Sequence, residues 1–463
     1  MYVVLFLGHM EIQYLFRYII KLKSTAMATI ISNFINEPDT SSSHFLPLER
    51  SGDLDPLIER IGDAKYVLLG EASHGTHEYY TWRAEISKRL IAEKGFSFIA
   101  VEGDWPDCYK INRWIKDLPN SGNSIKEVLQ EFRRWPTWMW ANWEIAAFAQ
   151  WLRKYNSDLE MKDRIGFYGL DVYSLWESLE TLVSYLEKED PETAKFAREV
   201  AACFEPYKAN DSYVTAYRGL RQKCKDEVRQ LLFEVRQNIG KYDDEPEAGL
   251  NAELNSLVMK NAEDYYEAMA TFNNSSWNVR DTHMVETLNT LMDFHKPEAK
   301  VIIWEHNTHI GDARATDMAA DGMHNVGQLV REQHQDKGVE LIGFGSYKGS
   351  VIAGEHWGGK MKEMELPPAI ENSVEKILHD LSPQNKLLIF EDGSVLKEVF
   401  QEILGHRAVG VVYDPDYERG NYVPSVMSDR YDAFIFIDET KALYPLHITP
   451  DGGKMPDTYP FGI

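Results

Sequence analysis

Cysteine is scarce in this sequence. Its 463 residues include only three, Cys108, Cys203 and Cys224. They are too widely spaced for a zinc knuckle and too few for a disulfide framework. We therefore predict that all three are reduced thiols without a chemical role, as in a cytoplasmic protein.

Long apolar runs are missing as well. The N-terminal stretch is hydrophobic, but His9, Glu11 and Arg17 interrupt it, so no run approaches the roughly 20 residues of a membrane-spanning helix. It also lacks the basic start and small-residue cleavage site of an export signal. Met27 begins a stretch that looks like a more ordinary protein N-terminus. We therefore interpret residues 1–26 as a misplaced translation start or a loosely attached helix, with an interfacial membrane anchor as the alternative. The whole N-terminal extension is expected to cover residues 1–49.

Basic residues are in the minority. Lys and Arg number 49 against 73 Asp and Glu, which gives a net charge of -24. Such a field repels phosphate backbones and anionic lipid surfaces. We therefore expect neither nucleic acid nor a membrane as a partner.

Two catalytic motifs are absent. No G-x-S-x-G elbow occurs, and Ser73 in GEASHG lacks the glycine pattern of a nucleophile, which favours direct attack by water over an acyl-enzyme. No H-E-x-x-H helix occurs either, although His74 with His77 and His306 with His309 supply imidazole pairs. We expect no metal and no cofactor, and a metal-dependent hydrolase stays as an alternative.

What the chain does contain is a series of short apolar runs. Continuous β-branched and aromatic runs of this length suit strands that are buried on both faces of a parallel sheet. The sequence therefore predicts an α/β fold with a mainly parallel central sheet flanked by helices. The predicted strands cover residues 66–71, 97–104, 164–171, 300–307, 340–346, 386–392, 408–414 and 433–439.

The strand pattern stops in the middle of the chain. Between residues 175 and 295 the apolar residues show helical spacing and few strand signals. We predict that this interval is a helical insertion, or cap, which forms a cleft with the core. The α/β core then falls into two parts, residues 50–174 and residues 296–463.

Acidic side chains and histidines follow four of the predicted strands. In open parallel sheets ligands bind beyond the carboxyl ends of the strands, so these residues are the first candidates for chemistry. Burying several carboxylates and imidazoles together is costly unless they pair, and such clusters commonly have shifted pKa values. The candidates are Glu71, His74, His77, Glu78, Glu102, Asp104, Asp171, Glu305, His306, Asn307 and His309.

The segment Glu71-x-x-His74 can supply a water-activating base. A neutral imidazole is a suitable base for water, and a carboxylate on its far nitrogen fixes the tautomer. Ester cleavage also needs a cationic or N–H donor for the developing oxyanion. Arg83, on the helix expected after His74, and Arg280 are the candidate donors.

Four tryptophans stand close together in RRWPTWMWANWE, at Trp135, Trp138, Trp140 and Trp143. Such a group is either a core staple or the apolar wall of a pocket for a bulky ligand. We predict that the stretch borders the cleft and that Trp135, Trp138 and Trp140 contact the substrate.

Six blocks of the sequence, in order, resemble the erythromycin esterase family. The blocks are LLGEASHGTHEYYTWRAEI, FIAVEGDWPD, FRRWPTWMWANWE, IGFYGLDVYSLWESL, IIWEHNTHIGDARAT and VVYDPDYERGNYVPS. Together they span nearly the whole chain, and six blocks in order are much more specific than any single motif.

The resemblance implies an α/β core with a helical cap and a cleft between them. It also implies metal-independent hydrolysis of a macrolactone ester in those members that confer macrolide antibiotic resistance. Carried over by position, the family's site residues fall on the general base His74, the supporting carboxylates Glu71 and Glu102, the histidine pair His306 and His309, and the arginines Arg83 and Arg280.

We therefore expect a cytoplasmic hydrolase that acts on a small-molecule ester or lactone. Fold and catalytic residues transfer between relatives further than substrate specificity does. Two further alternatives are another enzyme that uses the same histidine and glutamate cluster, and a small-molecule-binding protein that has lost activity.

Overall fold

A computed structural model describes residues 45–208, 224–270, 275–295 and 297–446. The predictions for residues 1–26, and most of the predicted N-terminal extension, lie outside the described residues. Within these ranges, no helix combines the length and the apolar character needed to cross a membrane.

Eleven strands occur in the described part of the chain. They are β1 (Leu46–Pro47), β2 (Tyr66–Leu69), β3 (Phe98–Asp104), β4 (Gly166–Asp171), β5 (Val301–Trp304), β6 (Val339–Gly354), β7 (Met361–Leu366), β8 (Lys386–Ile389), β9 (Ile403–Arg407), β10 (Tyr422–Val426) and β11 (Ala433–Thr440).

Nine of these strands form the central sheet, in the order β1-β8-β11-β6-β2-β5-β3-β4, with β7 paired to β6. Every neighbouring pair from β11 to β4 is parallel. The antiparallel pairs are β1 with β8, β8 with β11, and β7 with β6. The prediction of a mainly parallel sheet flanked by helices is confirmed.

The inner strands are buried on both faces. In β2, Val67 and Leu69 belong to one hydrophobic cluster, whereas Tyr66 and Leu68 belong to another. Because alternate side chains of a strand point to opposite faces, the two clusters lie on the two sides of the sheet. Burial on both sides explains why β2 is a continuous apolar run.

The strand predicted at residues 408–414 is wrong. This segment makes isolated bridges, of Val409 with Ser73 and of Val412 with Gly354. Its apolar character reflects burial rather than pairing, since Val409 is fully enclosed. The adjacent β9 and β10 pair antiparallel with each other in a separate small sheet, and the sequence analysis missed both.

Fifteen α-helices are described. They are α1 (Asp55–Ile61), α2 (His77–Lys94), α3 (Trp105–Ile115), α4 (Ile125–Gln130), α5 (Trp143–Asn156), α6 (Leu175–Glu189), α7 (Pro191–Lys208), α8 (Lys225–Asn238), α9 (Ala248–Ala270), α10 (Ser275–Phe294), α11 (Asn307–Ile310), α12 (Val326–His334), α13 (Val374–Leu381), α14 (Val395–Val399) and α15 (Met427–Arg430).

Helices α6 to α10 occupy the interval predicted to be the helical cap. They enclose a hydrophobic cluster of their own, which includes Leu182, Val228 and Tyr266. The boundaries of the cap, and of the two parts of the core, stay a prediction.

Two of the cysteines form a disulfide, Cys203–Cys224, which corrects the prediction of three reduced thiols. Cys203 lies on α7 and Cys224 directly precedes α8, and these two helices pack against each other. Their packing places the two Cα atoms 6.0 Å apart, within the range that a disulfide requires. Spacing along the chain does not report this contact. Cys108 is a buried free thiol.

Candidate active site

Four neighbouring strands carry the site at their carboxyl ends. β2, β5, β3 and β4 lie side by side and parallel, so the residues near their ends meet at one edge of the sheet. These residues include Glu71 after β2, Glu102 in β3, Asp171 at the end of β4 and His306 after β5. The predicted cluster of strand ends is therefore brought together in space.

His74 is held in place by Glu71. Its Nδ1 lies 2.9 Å from Oε1 of Glu71, and both side chains are buried. The second carboxylate oxygen, Oε2, accepts a hydrogen bond from Nη2 of Arg83 at 2.6 Å. A carboxylate beside Nδ1 places the ring hydrogen there, so Nε2 of neutral His74 is the proton acceptor.

Arg280 is the centre of a second buried network. It donates to the two oxygens of Asp171, at 3.0 and 2.7 Å, and to Oε1 of Glu102 at 2.7 Å. Its Nη1 donates to Nε2 of His309 at 2.9 Å. On the far side of that ring, Nδ1 lies 3.0 Å from both oxygens of Asp281. One guanidinium thus links the ends of β3 and β4 to His309.

The neighbouring imidazoles of His74 and His306 have pKa values that are shifted in opposite directions. Their ring centroids are 4.9 Å apart. Burial alone would lower the pKa of His74, but the carboxylates of Glu102 and Glu71 outweigh burial and raise this pKa above its ordinary value of 6.5. Burial lowers the pKa of His306 well below 6.5, and His74 lowers it further. Neighbouring groups whose pKa values are pushed apart commonly have different roles in acid–base chemistry.

His306 offers a hydrogen-bond donor. Its Nδ1 accepts from the backbone N–H of Thr308 at 3.3 Å and lies 2.8 Å from Oγ1 of the same residue, which places the ring hydrogen on Nε2. This Nε2 is buried, and no described residue pairs with it. Because a buried N–H without a partner is costly, an oxygen atom of a ligand would be stabilised there.

Two buried carboxyl groups at the site have pKa values that are shifted in opposite directions. Burial alone would raise the pKa of Glu102, but His309 and Arg280 hold this pKa well below its usual range. Burial raises the pKa of Glu305 well above its usual value, and Glu102 raises it further. Neither carboxyl oxygen of Glu305 has a hydrogen-bond partner among the described residues. The surroundings of Glu102 therefore favour its ionised form, whereas those of Glu305 favour its neutral form.

Two cavities meet at His74. The first, called the cleft below, has a volume of about 90 Å³, and the second cavity has a volume of about 300 Å³. His74 and Val411 line both. The cleft is also lined by Asp104, Trp135, Trp140, Asp171, Arg280 and Trp357. The second cavity is also lined by His306, Thr308, His309, Ala408, Tyr422 and Val423.

The four tryptophans have different environments. Trp135 and Trp140 line the cleft, where they donate to the backbone oxygens of Gly359 and Glu102 at 2.9 and 3.0 Å. Trp138 is fully buried and lines neither of these cavities, and Trp143 is half exposed. The geometry therefore supports the predicted substrate contact for two of the rings and does not support it for Trp138.

The two predicted arginines also differ. Arg280 lines the cleft, whereas Arg83 is fully buried behind Glu71, between the rings of Tyr80 and Trp304. Arg83 is placed to hold Glu71 rather than to contact a substrate. The sequence analysis did not select Asp281, which orients His309; its position next to Arg280 in WNVRDTHM was the available signal.

The two members of the His74 and His77 pair make different contacts. Nδ1 of His77 lies 2.6 Å from Oε1 of Glu144, so this ring belongs to a different contact from His74. Across the described ranges, no group of three or more His, Cys, Asp or Glu side chains is arranged to hold a metal ion.

The fold and the site together define an α/β protein with a histidine and carboxylate centre at the edge of a mainly parallel sheet. The family model for erythromycin esterase matches residues 91–440 of the chain. The chain belongs to the erythromycin esterase family. Membership supports an esterase-like hydrolase with a small-molecule substrate. The matched stretch contains Glu102, Arg280 and His306, and it begins after His74.

Two relatives match over most of their lengths. Erythromycin esterase type II of Escherichia coli is 24% identical over 377 residues, which are 75% of this chain and 85% of that protein. The putative hydrolase YbfO of Bacillus subtilis is 22% identical over 439 residues, which are 88% of this chain and 90% of that protein.

Solved structures share the fold. A Bacillus cereus protein has a TM-score of 0.73 at 19% identity, over 91% of this chain and 99% of its own. A succinoglycan biosynthesis protein has a TM-score of 0.70 at 20% identity, with the same coverage. A mutant of the erythromycin esterase EreC, in its open conformation, has a TM-score of 0.62 at 14% identity, over 85% of this chain and 95% of its own.

Proposed function

We propose that this protein hydrolyses an ester or lactone by a metal-independent attack of water, with His74 as the general base. The observation that carries the proposal is the position of His74. A buried carboxylate holds its Nδ1, the residue lines both cavities, and its neighbour His306 has the opposite pKa shift. The name of the Escherichia coli relative contains erythromycin, and macrolides are therefore one candidate class.

The proposed reaction uses His74, which lines both cavities, and His306, which lines the second cavity. Nε2 of His74 takes a proton from water as the water oxygen bonds to the carbonyl carbon. The carbonyl oxygen becomes an oxyanion, and the Nε2–H of His306 donates to it. When the C–O bond breaks, protonated His74 returns the proton to the leaving alcohol. The products are one carboxylic acid and one alcohol.

The carboxylate and histidine side chains of the site already surround a cation, the guanidinium of Arg280. The guanidinium of Arg280 lies within 2.7 Å of both Glu102 and Asp171 and 2.9 Å from Nε2 of His309. These are the side chains that would otherwise be offered to a metal ion. This arrangement supports the metal-independent form of the proposal over the metal-dependent alternative.

A panel assay tests the proposal. The purified protein is assayed with aryl esters, simple lactones and macrolides, with and without a chelator, and its metal content is measured. We expect hydrolysis of at least one class at the same rate in both conditions. Loss of activity with the chelator, restored by one metal per chain, would support the metal-dependent alternative. Binding without turnover would support an inactive binding protein.

The pH dependence of kcat/KM is expected to follow His74. Activity requires the neutral ring, so kcat/KM should rise with pH through the raised pKa of His74, above 6.5. Glu71→Gln removes a charge that raises this pKa, so the acid limb should move to lower pH. Glu144→Gln is the control, because Glu144 acts in the same way on His77, outside the site. An acid limb that stays in place in Glu71→Gln would contradict the assignment.

The tryptophans should separate into two functional groups. Trp135→Ala and Trp140→Ala enlarge the cleft and are expected to lower kcat/KM for a bulky ester more than for a small one. Trp138→Ala leaves a core cavity and should cost about 3–5 kcal/mol of unfolding free energy, without changing that ratio. Steady-state kinetics and chemical denaturation measure the two effects. If only stability changes in all three variants, the stretch is scaffold.

A further inference from the structure

In the proposed reaction, His74 and His306 are the two residues of the second cavity that take part in the chemistry. Its far wall is formed by Ala408, Val412, Tyr422 and Val423, and it shares Val411 with the cleft. A cavity of about 300 Å³ is much larger than one water molecule needs. It therefore has room for part of a substrate.

The two cavities differ in charge. The cleft is lined by the carboxyl groups of Glu102, Asp104, Asp107 and Asp171, and by two arginines. Among the described residues that line the second cavity, none is Asp, Glu, Lys or Arg. A charged group placed in the second cavity would lose its hydration without gaining a counter-charge, which is costly.

The cleft contains a carboxyl group that Arg134 compensates only in part: burial raises the pKa of Asp104 to about 8, and a further cation would stabilise its ionised form. Oδ2 of Asp104 lies 2.7 Å from Nε of Arg134, whereas Oδ1 is buried and has no hydrogen-bond partner among the described residues. The rings of Trp135 and Trp357, with centroids 4.6 Å apart, line the same cleft. Aromatic faces attract cations, so an ammonium group is better accommodated here than in the second cavity.

We propose that the second cavity binds the uncharged half of an ester whose cationic half lies in the cleft, with the scissile carbonyl at His74 between them. This inference rests on the proposed hydrolysis and adds a substrate class to it. It also assigns selectivity for the two halves to different residues. The cleft residues select one half, and the wall from Ala408 to Val423 selects the other.

Choline esters with acyl chains of increasing length test the assignment. Choline is a fixed cation, so it should place the alcohol half in the cleft and the acyl chain in the second cavity. The parent protein should hydrolyse choline esters with a higher kcat/KM than the 3,3-dimethylbutyl esters, which have the same shape without the charge. Asp104→Asn should reduce this preference.

Narrowing the second cavity should affect the acyl chain alone. Ala408→Leu is expected to lower kcat/KM for octanoylcholine by about tenfold or more relative to acetylcholine. Ala320→Leu is the matched control, because Ala320 is exposed and lines neither cavity. Val423→Phe is the second variant, in case Ala408→Leu does not fold. Thermal unfolding of each variant establishes that it is folded.

The outcomes are distinguishable. A loss in Ala408→Leu and Val423→Phe that is equal for short and long chains would show that the cavity conducts water or product, and it would overturn the inference. Selectivity unchanged from the parent, or a preference for the neutral esters, would overturn it as well. If the parent hydrolyses other esters but no choline ester, the inference fails and the proposed function stands. If it hydrolyses no ester at all, the proposed function fails, and the inference fails with it.

Discussion

Replacing His74 with glutamine is expected to lower kcat/KM for ester hydrolysis by about 10²–10⁴-fold, because a glutamine amide cannot take a proton from water. The residue lines both cavities and is oriented by the buried carboxylate of Glu71. Glutamine keeps the polarity and most of the volume of the ring, so the fold should survive. Steady-state kinetics, with circular dichroism as the check on folding, measure the effect.

His77→Gln is the matched control for this experiment. His77 is three residues along the chain and also faces a carboxylate, that of Glu144 at 2.6 Å, but it lines neither of the two cavities. This variant should keep most of the parent activity. A folded His74→Gln protein with parental kcat/KM, or equal losses in both variants, would remove His74 from the mechanism.

Arg280→Met should lower the free energy of unfolding by about 3–5 kcal/mol at neutral pH, which is the usual cost of leaving buried charges without their partner. The guanidinium is 6% exposed and pairs with Glu102 and Asp171. Methionine keeps the length of the side chain and removes the charge. Denaturant unfolding measures the loss, and kcat/KM is expected to fall as well because His309 loses its contact with Nη1.

The loss in Arg280→Met should depend on pH. In the parent, the pKa of Glu102 is held below its ordinary 4.5, so its stabilisation is present above that value and is lost as the pH falls through the folded pKa. In the variant, Glu102 loses one of the groups that lower its pKa, so this pKa rises and acid relieves part of the cost. Both effects make the stability difference largest near neutral pH and smaller in acid.

Arg331→Met is the control that separates the loss of stability from the loss of activity. Arg331 also bridges two carboxylates, Asp312 at 3.2 Å and Asp432 at 2.7 Å, but it lines neither the cleft nor the second cavity. The variant should lose less stability than Arg280→Met, because Arg331 and its partner Asp432 are more exposed than Arg280 and its partners. Its kcat/KM per folded molecule should be unchanged. A parental kcat/KM in folded Arg280→Met would show that Arg280 is structural only.

Much of the sheet was predictable because its strands are buried on both faces. Runs such as 66–69 and 301–304 are apolar at every position, and this pattern is typical of inner parallel strands. The same criterion fails where burial occurs without pairing. Val409 and Val411 are buried next to the two cavities, and that environment produced a strand-like run at 408–414 with only isolated bridges.

The clustering of strand ends was predictable, but the direction of individual side chains was not. Parallel strands bring their carboxyl ends to one edge, so Glu71, Glu102 and His306 could be expected together. Whether Arg83 faces the cavity or the back of Glu71 depends on the helix rotation and on the rings of Tyr80 and Trp304. The direction of Trp138 was not predictable either. It lies two residues before Trp140, and this spacing does not show which of the two rings lines the cleft.

The contact of Cys203 with Cys224 depends on helix packing, which local patterns do not report. Hydrophobic spacing identifies α7 and α8 as helices with an apolar face. It does not specify the angle or the register at which the two helices meet. The prediction from three scattered cysteines therefore failed in the region with the least motif content.

The segment that carries Val409 and Val412 makes only isolated bridges. We expect its local stability to be lower than that of the central strands. Amide hydrogens in β2 and β5, at the centre of the sheet, are expected to exchange with solvent only on global unfolding. The 408–412 segment lacks a continuous ladder and can open in smaller fluctuations. We therefore expect the amide hydrogens of this segment to exchange with solvent before those of β2, the strand that precedes His74.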